Sequence, residues 1–269
     1  MDAADRSHLP RRRSRVARVL LLGFTLHLKM MTRSSFDGFL NLLWPLFFST
    51  VAFFMFQAGA GGEALVFAAF GAAVMGIWSS TSTSAASAMQ RERWHGTLEL
   101  LVCAPVHFGA VLLPVTIAMA AMGLYSMVAT LLVSRFAFGV ELPFEQPVAL
   151  AVALVATVAS IGALGFLLAV SFVRYRTAWA LGNMFEYPVW LVSGFLVPLT
   201  LLPDWVRPIS WVLAPTWGVD GIREAASGAS AWPEIGMAVG LGALYLTVAI
   251  AVLESVLRSA RQAGSLALA

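Results

Sequence analysis

Apolar residues gather into six stretches, separated by short segments that hold nearly all the charge. The stretches run from Phe39 to Ala58, Ala64 to Ala88, Phe108 to Ser134, Pro147 to Val173, Thr177 to Leu202 and Ile235 to Leu257. None contains Lys or Arg, and their only acids are Glu186 and Glu254. A helix needs roughly 20 apolar residues to cross the hydrocarbon core, and it satisfies its own backbone polar groups in lipid. The pattern predicts an all-α polytopic membrane protein with six transmembrane helices in a single domain over residues 1–269.

The charges between the stretches predict an orientation. With six spans both ends lie on one side, which collects 14 of the 17 basic residues: those of the N-terminal arm through Arg33, then Arg91, Arg93, Arg174, Arg176, Arg258 and Arg261. The opposite side holds Arg135, Arg207 and Arg223 among the acids Glu63, Glu141, Glu145, Asp204, Asp220, Glu224 and Glu234. The excess of Lys and Arg in cytoplasmic loops then puts both termini in the cytoplasm. A count of five or seven spans would separate the termini and spoil this partition.

The connecting segments carry further signals. In the arm, residues 1–36, Arg15, Arg18, Lys29 and Arg33 recur near helical spacing with Val19, Leu20 and Phe24 on other faces. This predicts an amphipathic interfacial helix on the inner leaflet. No small-residue cleavage site follows the apolar run Val19 to Leu28, which argues against a signal peptide. Residues 89–107 form the sizeable cytoplasmic loop. Residues 203–233 carry Trp205, Trp211, Trp217 and Trp232 with several prolines, which fits short external re-entrant helices at the interface. The second stretch ends in hydroxyls, including Ser79, Ser80, Thr81 and Thr83. These either bond back to their own helix carbonyls or form a polar wall of a transport path. Gly236-x-x-x-Gly240 is either a close-packing motif or an incidental pair of small residues.

Composition narrows the classes. Hydrophobic residues make up 59% of the 269-residue chain, leaving room for a membrane domain and little else. The basic excess sits in the arm, where anionic lipid is the expected partner and nucleic acid is not. One cysteine, Cys103, excludes an intrachain disulfide. Sixteen Arg against one Lys suits a GC-rich bacterial genome. A phosphate-binding loop of the G-x-x-x-x-G-K-[ST] type needs a lysine, and the single Lys29 is followed by Met30. No HExxH pair, metal-ligand spacing or G-x-S-x-G elbow is present. The chain is expected to have no catalytic residues, metal or cofactor of its own.

Two segments resemble the ABC type-2 permease family, the membrane subunits of ATP-binding-cassette exporters. One is Arg91-Glu92-Arg93-Trp94-His95-Gly96-Thr97-Leu98-Glu99-Leu100-Leu101 with Pro105 after it. It is similar to the family's Gly-Thr-Leu-Glu segment after the second span. The other runs Ser193-Gly194-Phe195-Leu196-Val197-Pro198, Leu202-Pro203-Asp204-Trp205, Ala214-Pro215-Thr216-Trp217 and Asp220-Gly221-Ile222-Arg223. Trp217 departs from the family there, where Tyr is more usual.

The resemblance implies a permease that dimerises, as a homodimer or with a second permease, and carries ABC ATPase subunits on its cytoplasmic face. ATP and magnesium would bind those partners. Glu92, Arg93, His95, Gly96, Thr97, Leu98 and Glu99 would couple the ATPase stroke to the membrane. The second and fifth spans would line the path, with Ser79, Ser80, Thr81, Thr83 and Glu186. The external motif comprises Gly194, Pro198, Pro203, Pro215, Asp220 and Arg223. The implied role is ATP-driven export from a bacterial plasma membrane. An apolar path with one acid leans toward amphiphilic substrates such as drugs, antibiotics or lipids, cationic ones among them. A membrane enzyme working at Glu186, or a docking protein without transport, are the alternatives.

Overall fold

The computed structural model describes residues 12–32, 62–94, 108–172 and 178–262, with eight further residues between 43 and 55. Among the described residues all regular structure is helical. The helices are α1 (Arg12–Thr32), α2 (Gly62–Trp94), α3 (Phe108–Phe136), α4 (Pro147–Phe172), α5 (Ala178–Val192), α6 (Arg207–Trp211), α7 (Ala214–Ser227) and α8 (Trp232–Gln262). Two single turns of 3₁₀ helix, Leu199–Leu201 and Asp204–Val206, lie between α5 and α6.

Four of these helices are long and apolar enough to cross a membrane: α2, α3, α4 and α8. They correspond to the second, third, fourth and sixth expected spans. Most of the first expected span lies outside the described residues. The fifth is shorter than its apolar run. The helix stops at Val192, and the remaining residues to Leu202 form a turn and a 3₁₀ segment.

The stop at Val192 has a backbone cause. Gly194 adopts φ +72°, the left-handed region that glycine enters without a Cβ clash. Phe195 N–H donates to Trp190 O (3.3 Å) and Gly194 N–H to Leu191 O (3.3 Å). This 6→1 and 5→2 pair is a Schellman cap. The chain then turns away although its side chains stay apolar.

Helix α2 is the axis of the bundle, packing against α3, α4, α5 and α7. Phe70, Val74, Ile77 and Trp78 are fully buried there. Gly123 on α3 lets the two helices touch, since a Cβ at that position would fall 2.4 Å from Ile77 Cα. Helix α4 links α2 and α3 to α7 and α8. Helix α1 lies against α3, with Gly23 over the Pro114 ring. Its Leu21, Leu22, Leu26 and Met30 are exposed.

Candidate functional site

The residues singled out in the sequence fall into three places. The first is the end of α2. Helical backbone continues through Trp94, so Glu92 and Arg93 belong to the helix rather than to a loop. His95, Gly96, Thr97, Leu98 and Glu99 lie outside the described residues, as do the side chains of Thr83, Glu92 and Arg93.

The second place is the hydroxyl tract, where the two readings divide by residue. Thr81 is buried and donates to Ile77 O (2.7 Å). Ser82 is buried and donates to Ser79 O (3.4 Å). Ser80 donates across the helix pair to Met119 O (2.9 Å) as well as to Ile77 O (3.1 Å). Thr81 and Ser82 thus bond back to their own helix, and Ser80 also ties α2 to α3. Ser79 differs: its side chain lies beside the Glu186 carboxyl on α5. Glu186 is half-buried, and Met184, Phe185 and Tyr187 beside it are exposed. Of the described path candidates, Ser79 and Glu186 are the two that the structure brings together across α2 and α5.

The third place is the external motif, which the structure gathers around Arg223. Its guanidinium donates to Gly194 O (3.1 Å), Phe195 O (2.9 Å) and Phe67 O (3.0 Å). It pairs with Asp220 one turn earlier (3.3 Å). It also sits 3.4 Å from the centroid of the Phe67 ring, a cation–π contact. Only 12% of the Arg223 side chain is exposed. Burial lowers its pKa to about 10, and the Asp220 carboxylate opposes that shift, so it remains a cation at neutral pH. Asp220 is pushed up by burial and held down by Arg223.

This side chain fastens three elements at one point. Gly194 and Phe195 follow the α5 cap, Phe67 is on α2, and Arg223 is on α7. A planar fork with five donors suits such a junction of carbonyls, and a lysine would not. Gly71 makes room for it: a Cβ there would lie 1.6 Å from Phe195 O and 2.8 Å from an Arg223 nitrogen. The prolines of the motif set backbone at element starts. Pro198 and Pro203 precede the two 3₁₀ turns, and Pro215 sits in the first turn of α7. Tyr245 of α8 closes the same region, accepting from Ala214 N–H (3.0 Å) and donating to Val212 O. Sequence reading passed over Gly71, Phe67 and Tyr245, because each owes its role to a partner far away in the chain.

No metal-binding cluster of His, Cys, Asp or Glu occurs among the described residues. No curated protein matches the chain. Residues 12–226 match the family model described as ABC-2 type transporter, a span that includes both segments carrying the resemblance. The protein therefore belongs to the ABC-2 type transporter family, as a membrane permease of apolar helices.

Proposed function

We propose that the chain is the membrane-spanning subunit of an ATP-driven exporter, working with a separate ABC ATPase. The family match over residues 12–226 is the observation that carries this reading. In it the chain crosses the bacterial plasma membrane six times with both termini cytoplasmic, and α1 lies on the inner leaflet. The 14-to-3 partition of basic residues supports that orientation. Two permeases, identical or not, pair in the membrane.

The coupling element is the segment from Glu92 to Glu99. Because α2 runs unbroken from its N-terminal turn to Trp94, a push by the ATPase at that end is delivered to the axial helix of the bundle. Arg223 links the other end of α2 to α5 and α7, so movement of α2 is transmitted to the external segment. The path runs past Ser79 and Glu186 between α2 and α5, and the substrate is amphiphilic. ATP closure can drive transport only if the substrate binds the two permease states differently.

The test is co-expression with a candidate ABC ATPase from the same genome, followed by reconstitution. The permease should stimulate hydrolysis, and the double variant Glu92→Ala with Glu99→Ala should lose stimulation and co-purification while inserting normally. Wild-type stimulation and export by that variant would exclude this segment as the coupling element. Export that continues without any ATPase would overturn the whole reading.

A further inference from the structure

A pocket of about 650 Å³ lies at the acidic end of the bundle, away from Ser79 and Glu186. It is walled by the first turns of α2, the α3–α4 connection and α7. Leu65, Val66, Phe70 and Val140 form an apolar interior. Glu63, Glu141 and Glu224 contribute three carboxyl groups from those three different elements. The volume falls in the range of about 300–1,000 Å³ typical of small-molecule sites. The one cation in the lining, Arg223, is already engaged by Asp220, three carbonyls and the Phe67 ring.

We propose that this pocket binds a soluble amphiphilic organic cation, with its apolar body on the α2 and Val140 wall and its charge toward Glu63, Glu141 and Glu224. The complementarity is specific in sign and shape. An anion would meet three carboxyls against one neutralised guanidinium. A small hydrated cation would gain nothing from the apolar wall. Binding at this place does not depend on the ATP-driven reading, because it requires no nucleotide.

The Glu224 carboxyl gives the site a pH dependence. It lies near the Glu234 carboxyl of α8, and two neighbouring carboxyls disfavour ionisation of both. Burial, the Glu234 contact and the Asp220 charge raise Glu224 to about 7. The groups around it are Glu234 on α8, Asp220 and Arg223 on its own helix, Glu63 on α2 and Glu141 on the α3–α4 connection. A bound cation stabilises the ionised form, so binding should strengthen as pH rises from 6 to 8 and release protons.

The experiment uses the full chain in a neutral sugar detergent without nucleotide. The probe is tetraphenylphosphonium, with tetraphenylborate as the anion of matching shape. The account expects saturable binding of the cation alone. Glu63→Gln with Glu141→Gln should weaken it about fivefold or more, as expected for two partly exposed charges. Val140→Trp, which fills the pocket, should abolish saturable binding. Glu254→Gln, an exposed carboxylate of α8 outside the pocket, should leave it unchanged. Thermal unfolding of each variant confirms that it is folded. Equal binding of both ions, wild-type affinity in the double glutamine variant, or loss of binding in Glu254→Gln would each overturn the proposal. So would displacement by phosphatidylethanolamine at stoichiometric levels, which would make a lipid headgroup the occupant.

Discussion

Helices α2 and α8 are both long and apolar enough to cross a membrane, yet they occupy opposite places. The α2 window has a mean hydropathy of 1.6 and is 67% buried within the chain. The α8 window reaches 2.2 and is 28% buried. The more apolar helix is the more peripheral one. In water that order would be reversed, but lipid tails are as apolar as leucine and do not drive apolar helices inward. Small residues and hydroxyls mark the interior instead. Ala68, Ala69, Ala72, Ala73, Thr81 and Ser82 on α2 are buried, whereas Met237, Val239, Leu244, Val248 and Ile250 on α8 are exposed.

The glycines sharpen the contrast, and they give the largest expected effect. A Cβ at Gly71 would run into the Phe195 backbone, which cannot rotate away as a side-chain tip can. At Gly236 and Gly240 nothing lies within 4 Å. Gly71→Val should therefore destabilise the fold beyond the roughly 1–3 kcal/mol usual for overpacking. Size-exclusion profiles of the detergent-extracted protein should show its monodisperse peak lost. Gly236→Val with Gly240→Val should keep that peak. A collapsed profile for the α8 pair and a normal one for Gly71→Val would break the comparison.

Arg223→Ala comes next. Hydrogen bonds to a charged group contribute about 1.5–3 kcal/mol each, and this side chain makes three to carbonyls besides its Asp220 contact. The loss should be at least about 3 kcal/mol in thermal or denaturant unfolding. Arg223→Lys should recover only part of it, since one ammonium cannot span the same carbonyls. Ser80→Ala removes a single hydroxyl bridge from α2 to Met119 O on α3, for about 0.5–1.5 kcal/mol.

These sites differ in how far the sequence announced them. The four long helices were legible because about 20 apolar residues without charge have few other uses. The external motif was legible as a pattern of Gly, Pro, Asp and Arg, but its geometry was not. Arg223 is held by carbonyls 28 to 156 positions away, and a carbonyl has no sequence signature. Gly236-x-x-x-Gly240, open in sequence between a packing motif and an incidental pair, faces open space within this chain, while the unremarked Gly71 and Gly123 mark tight approaches. The hydroxyl tract could not be divided from sequence, because all its members have similar chemistry and only their facing differs. The end of α5 was hidden because its cap breaks the backbone without interrupting the apolar side chains.

The smallest expected effect is a pH dependence at the α7–α8 contact. Glu224 is raised from 4.5 to about 7 in the folded chain. The native state then holds more protons than the unfolded chain between those values, so stability falls as pH rises through that window. Thermal unfolding should show a shallow decline from pH 5 to 7.5, flattened in Glu224→Gln. An identical pH profile for the variant would remove Glu224 from the account.

The central claim is that the axial helix α2 lines the route through the membrane while α8 faces lipid. It is tested most directly by thiol accessibility. With Cys103 replaced by serine, Ser79→Cys and Gly240→Cys are compared in membranes containing the permease and its ATPase, using a small water-soluble methanethiosulfonate. The account predicts that position 79 is modified, at a rate that changes with ATP, and that position 240 is not. Rapid modification at 240 with none at 79 would contradict it.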